Sequence, residues 1–179
     1  MHCPDCGSAV GTVTESREAC AGCGFSVVAL DALFGPDEMV MDQVTDMAGI
    51  LTEAALRRME KRLKRFERRF PPLFMCVYVG EPIGPGDLGR FGLWLLNRTR
   101  MDTPAGPRAE NSSCLLFLVD PKAGEAALQC GYHAEACLTQ GGAEQVMGKA
   151  ARQFCKGSLA PGLNAAIVEA ERILRRRHG

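Results

Sequence analysis

The chain has 179 residues, 46% of them hydrophobic and 23% charged, an ordinary globular composition. That length has room for one core of about 130 to 150 residues and one small module. Lys+Arg and Asp+Glu both number 21, so the net charge is zero and global charge predicts neither a nucleic-acid nor a membrane partner. No stretch approaches the roughly 18 to 20 apolar residues of a membrane span. Met1-His2-Cys3-Pro4 has neither the basic start nor the apolar core of a secretory signal. A cytoplasmic chain is expected.

Residues 1–30 hold Cys3-Pro4-Asp5-Cys6-Gly7 and Cys20-Ala21-Gly22-Cys23-Gly24, two Cys-x-x-Cys pairs separated by 13 residues. Each pair ends in Gly, which lets the backbone turn tightly with its amides toward the sulfurs. Four thiolates at Cys3, Cys6, Cys20 and Cys23 match the tetrahedral preference of zinc, and a closed four-sulfur shell is structural rather than catalytic. The segments Ala9 to Thr14 and Phe25 to Leu30 are expected as short strands of a zinc ribbon. Two disulfides are the competing reading, and a cytoplasmic setting disfavours them. A module of about 30 residues buries too little surface to fold alone, so zinc binding is expected to fold it. His2 is a bystander, because four thiols already complete the shell. The other five cysteines (Cys76, Cys114, Cys130, Cys137 and Cys155) lie mostly in apolar runs and read as reduced, buried small hydrophobes.

Asp31 to Met41, with Gly35-Pro36-Asp37-Glu38, reads as part of a connector spanning 31–42, and residues 43–179 as the main domain. Thr52 is a good N-cap and Glu53 suits a first turn. The helix that follows carries Leu56, Met59, Leu63, Phe66 and Phe70 in one apolar stripe. The rest of it is very basic: Arg57, Arg58, Lys61, Arg62, Lys64, Arg65, Arg68 and Arg69, against Glu60 and Glu67. Pro71-Pro72 stops it.

Leu73 to Val79 reads as a buried strand. Gly80 to Gly86 is a loop, and Asp87 caps a helix with Leu88, Phe91, Trp94 and Leu95. Asp102 to Arg108 reads as another loop. Cys114 to Val119 is a continuous apolar run that suits a strand buried on both faces. Asp120 to Gly124 is a turn, and a second short strand ends at Gly131. Ala143 to Phe154 is a helix with Val146, Met147, Ala150 and Phe154 on one side. Pro161 opens the last helix, with Leu163, Ala166, Ile167, Ala170, Ile173 and Leu174 inward. Strands alternating with amphipathic helices indicate a layered α/β domain.

With these residues in view, the region from about 43 to 175 resembles the TPM domain family. Val44-Thr45-Asp46-Met47-Ala48-Gly49-Ile50-Leu51-Thr52 is similar to the family's opening Val-x-Asp-x-Ala-Gly-x-Leu-Ser. Glu110-Asn111 before Leu115-Leu116-Phe117-Leu118-Val119 is similar to its Asp-Asn-Gly before an apolar strand. Gly131-Tyr132-His133-Ala134-Glu135-Ala136-Cys137-Leu138-Thr139 is similar to its Gly-Tyr-Gly-x-Glu-x-x-Leu-Thr. The departures are Glu110 for Asp, Ser112 for Gly and His133 for Gly. The resemblance implies an αβα sandwich around a central mixed sheet. It also implies two properties reported of some relatives, divalent-cation binding and weak phosphatase activity.

Three site hypotheses follow. Asp46, Glu110 and Asn111, with Glu135 nearby, are oxygen donors that could form one pocket for Ca²⁺ or Mg²⁺; alternatively each holds a loop. His133 is either an acid/base group or a structural residue in a turn, and no third partner orders a thiol nucleophile at Cys130 or Cys137. The basic helix is an anion-binding face for nucleic acid, an anionic membrane surface or an acidic partner, or else a solvated face. The favoured function is a non-enzymatic binding or scaffolding protein that recognises a protein partner or divalent cation. A weak divalent-cation-dependent phosphatase is the enzymatic alternative, and nucleic-acid binding through ribbon and basic helix a further one.

Overall fold

A computed structural model of the chain describes residue 6 and residues 19–103, 106–108, 111–154 and 157–178. The architecture is the expected α/β one, helices on both faces of a central mixed sheet. Its centre is the pair of strands β3 (Phe74–Val79) and β6 (Cys114–Asp120), both buried along their whole length. They run parallel, with Phe74 beside Cys114 and Val79 beside Val119. The strand β2 (Val44–Asp46) lies parallel to β3 on its other side, and β7 (Glu125–Cys130) returns antiparallel to β6.

The period-two alternation of β3 and β6 divides the interior into two cores. Met75, Val77, Val79, Leu115, Phe117 and Val119 face one of them. Over that core pack α2 (Glu53–Arg69), α4 (Tyr132–Leu138), α5 (Gln140–Phe154) and α6 (Leu159–His178). Phe74, Cys76, Tyr78, Cys114, Leu116 and Leu118 face the other, under α1 (Val27–Phe34) and α3 (Leu88–Arg98). The expected N-caps are in place: Thr52 accepts from the amide of Ala55, and Asp87 from the amide of Arg90. The apolar stripe of α2 faces inward through Met59, Leu63 and Phe66. Helices α5 and α6 begin at Gln140 and Leu159, slightly earlier than Ala143 and Pro161. Among the described residues no helix is long and apolar enough to cross a membrane.

Four local expectations are corrected. Phe25 to Leu30 is not a strand. Ser26 accepts a hydrogen bond from the amide of Ala29 and so caps α1 from Val27 onward. The other expected ribbon strand, Ala9 to Thr14, lies outside the described residues. Residues 31–42 are not a bare connector. They finish α1 and form β1 (Met39–Asp42), parallel to β4 (Thr99–Thr103). Asp102 to Arg108 is not simply a loop, because β4 turns back antiparallel into β5 (Gly106–Arg108), with Gly106 at φ +116 opposite Thr103. Gly131 to Thr139 is largely helical, so His133 sits on the first turn of α4 rather than in an open turn.

The packing of α1 explains why the connector reading fails. Leu30 and Phe34, four residues apart, share one helix face and are buried. The Phe34 ring lies 5.4 Å from Phe91 and 5.8 Å from Trp94. The indole N–H of Trp94 donates to the Gly35 carbonyl at 2.9 Å, which anchors the end of α1. Arg98 Nε donates to Asp31 Oδ1 at 2.8 Å, and this partner holds the Asp31 carboxyl below its usual range. We expect Phe34→Ala to destabilise the domain by about 3 kcal/mol in urea unfolding. A loss below about 0.5 kcal/mol, the usual effect of a surface substitution, would return residues 31–42 to the status of a linker.

Candidate metal centre

The segment that leads into α1 carries a tight thiol-bearing turn. The Gly24 amide donates to the Cys20 carbonyl at 2.7 Å, and the Cys20 amide to the Phe25 carbonyl at 2.8 Å. Gly24 adopts φ +74, a conformation that glycine reaches without strain. Phe25 packs against the core beneath α1, so the turn is seated on the main domain. Cys20 is buried, while Cys6 and Cys23 are exposed.

The Sγ atoms of Cys6 and Cys20 are 3.7 Å apart. A disulfide would bring them to about 2.05 Å. In a tetrahedral thiolate shell with metal–sulfur bonds of about 2.3 Å, neighbouring sulfurs stand about 3.8 Å apart. The ligand atoms of Cys6, Cys20 and Cys23 all lie within 4.8 Å of one another, close enough to hold one metal ion. Cys3, the expected fourth thiol, and His2 lie outside the described residues.

Among the described residues, the oxygen donors Asp46 and Asn111 do not converge. Asp46 ends β2 level with Val79 and hence with Val119, at the C-terminal end of the parallel strands. Asn111 precedes Cys114, at the opposite end. At about 3.3 Å per residue, the offset from Val119 to Cys114 separates the two ends by roughly 16 Å, beyond the reach of one cation. Glu110 lies outside the described residues; Glu135 is exposed on α4 at the Asn111 end.

Asp46 and Asn111 each hold local structure. Asp46 Oδ2 accepts from the Leu51 amide at 2.7 Å and ties the loop that leads into α2; its Oδ1 is buried without a hydrogen-bond partner among the described residues. Asn111 is buried, and its side-chain amide donates to the carbonyls of Thr99 at 2.6 Å and Leu96 at 3.2 Å. The second and third sequence motifs meet here. Gly131 donates to the Cys114 carbonyl at 2.8 Å, and the amides of His133 and Ala134 both donate to the Ser112 carbonyl. That carbonyl satisfies the first turn of α4, where Gly131 has no side chain to do so.

His133 Nε2 lies 3.7 Å from Cys137 Sγ, one helical turn away. Cys130 is no nucleophile: burial, reinforced by Glu135, pushes its thiol up to about 12, so it stays protonated. Several basic residues of α2 are engaged locally or divided between two grooves. Arg57 pairs with Glu53, Arg62 donates to Asn164 on α6, and the Arg69 guanidinium lies over the Phe70 ring. Arg57, Lys61 and Lys64 line a groove on one flank of the helix, while Arg69 lines a separate one with Arg175. Gln43 is the residue that sequence reasoning missed. It is 4% exposed at the joint between β1 and β2, and its only signal is a polar residue inside the run Met39 to Val44.

Comparison with known proteins agrees with this architecture. The family model described as the TPM domain matches residues 44–173. No curated protein matches the chain. Among solved structures, the chain is similar to the N-terminal domain of a protein from P. gingivalis determined by solution NMR. The TM-score is 0.59 at 22% identity, covering 75% of this chain and 83% of that one. That likeness concerns the fold.

The contact between motifs yields a test. A Cβ at Gly131 would lie 2.6 Å from the Ser112 carbonyl oxygen and would also collide with the Asn111 carbonyl oxygen. Both obstacles are backbone atoms that cannot swing aside. Gly131→Ala should therefore cost about 2 kcal/mol or more in urea unfolding, within the range of overpacking penalties, with bound metal unchanged. A neutral effect would contradict the packing described for this motif.

Proposed function

The chain belongs to the TPM domain family, and on that premise we propose that it is a non-enzymatic binding protein with a structural zinc centre seated on its TPM domain. The observation that carries this reading is the convergence of the Cys6, Cys20 and Cys23 ligand atoms within 4.8 Å. Thiolate sulfur favours zinc over hard cations, and the two Cys-x-x-Cys pairs nominate Cys3 as the fourth ligand. A saturated four-sulfur shell leaves no open position for substrate or water, so the metal's role is to order the chain. The turn at Cys20 to Gly24 runs directly into α1, so the ion would stiffen the approach to a helix that the main core already holds.

A binding role for the TPM domain is favoured over catalysis by the separation of Asp46 from Asn111. The phosphatase alternative requires a metal-holding oxygen pocket, and among the described residues these donors occupy opposite ends of the sheet. The divided cations of α2 likewise favour a protein partner over a continuous track for nucleic acid.

Native mass spectrometry on the full chain, purified under reducing conditions, should find one zinc per chain. Cys20→Ser and Cys23→Ser should each lose it, whereas Cys137→Ser should keep it. A chain that remains metal-free after incubation with zinc, or that carries two disulfides among Cys3, Cys6, Cys20 and Cys23, would falsify the zinc centre.

A further inference from the structure

One flank of α2 and the strands β1 and β4 border an open groove of about 680 Å³. Its helical wall presents Arg57, Lys61 and Lys64. Lys61 and Lys64 make no ion pair among the described residues, while Arg57 is held by Glu53. Its floor presents Asp42 and Asp102, with Glu60 adding a third carboxylate from the helix. Asp42 and Asp102 are direct partners in the parallel register of β1 and β4. Like charges side by side on neighbouring strands are destabilising. Arg100 Nε, 3.6 Å from Asp102 Oδ1, offsets this on one side only.

Gln43 lines the same groove. Its backbone carbonyl accepts from the Val77 amide at 2.9 Å, which fixes it at the joint where the chain passes from β1 to β2. Its side chain is another matter. At 4% exposure, both Nε2 and Oε1 are buried with no partner among the described residues. A buried donor or acceptor left unsatisfied costs about 1 to 3 kcal/mol. A carboxamide that offers one donor and one acceptor in a plane is complementary to the N–H and C=O of one residue in an extended chain, which point to the same side.

The surrounding strands favour the same partner. Among the described residues β1 pairs only with β4, and β2 only with β3, so each leaves an edge. An extended segment beside an edge strand pairs through its backbone and sends alternate side chains to opposite sides. Here the strand floor holds carboxylates, and the helical wall holds ammonium groups beside Glu60. Nucleic acid fits less well, because the floor carboxylates repel phosphate.

We propose that this groove binds an extended peptide of mixed charge, with the N–H and C=O of one of its residues paired to Gln43, a basic side chain on Asp42 and Asp102, and an acidic one on Lys61 and Lys64. This rests on the binding role proposed above and names the chemistry of the partner.

The test is an NMR titration of the full-length, zinc-loaded, ¹⁵N-labelled chain. The probes are three short, end-blocked peptides: threonine alternating with lysine and glutamate in turn, with lysine only, and with glutamate only. The mixed peptide should give saturable shifts of the Gln43 side-chain NH₂ pair, and the single-sign peptides should bind at least about tenfold more weakly, as loss of one charge-assisted contact implies. Gln43→Met keeps the volume and should weaken the mixed peptide at least about fivefold. Lys61→Glu with Lys64→Glu, on the solvent side of a well-packed helix, should leave the fold intact and shift preference to the lysine-only peptide. The proposal is overturned if no peptide moves the Gln43 resonances, or if the variants bind as the parent does. Zinc content measured on the same samples is separate: a failed titration with zinc present removes this inference alone, and lost zinc with an intact titration removes the metal centre alone.

Discussion

The structure depends on one parallel pairing, β3 against β6. Every residue from Phe74 to Val79 and from Cys114 to Asp120 is buried, so the pair has apolar side chains on both faces and needs cover on both. Helices α2, α4, α5 and α6 cover one face, and α1 and α3 the other. The second face is the thinner. Without α1, Phe34 would leave Phe91 and Trp94 open to water. The N-terminal segment is therefore part of how the sheet is closed, and the thiol turn at Cys20 to Gly24 enters that helix within a few residues.

Much of this was legible in the sequence because it rests on periodicity and local chemistry. The apolar runs at 73–79 and 114–119, the α2 stripe and the caps at Thr52 and Asp87 all follow from spacing alone. What was not legible depended on tertiary partners. Residues 31–42 read as a connector because Gly35-Pro36-Asp37 is a turn signal; their burial comes from Trp94 and Arg98, some sixty residues away in sequence. Phe25 to Leu30 is apolar enough for a strand, and Ser26 decided for a helix by capping Ala29. The hairpin of β4 and β5 was hidden by Pro and Gly residues that also serve open loops.

The candidate sites divide along the same line. The thiol cluster was readable because metal ligation imposes a spacing on the sequence, and Cys6, Cys20 and Cys23 do converge. The separation of Asp46 from Asn111 was not, because proximity in a set of motifs is no guide to proximity on a sheet. Asp46 and Asn111 belong to strands that place them at opposite ends, where each braces a loop. Gly131 and the Ser112 carbonyl lock the start of β6 to the start of α4, while the Asn111 side chain ties the same corner to Leu96 and Thr99. Gln43 carries no recognisable signal, since an unsatisfied buried amide exists only once the fold surrounds it.

Taken together, these features describe a TPM domain whose thinner face is closed by a helix that continues out of a turn with converging thiols, with a charged groove on the other side of the sheet. The proposed zinc centre stands on the identity of the metal that these thiols would hold and on its ligand set. Zinc K-edge X-ray absorption on the purified full-length chain tests it most directly. The account predicts four sulfur neighbours at about 2.3 Å and no light-atom ligand in that shell. A shell with two or more nitrogen or oxygen neighbours, or zinc bound only loosely and lost on dialysis, would contradict it.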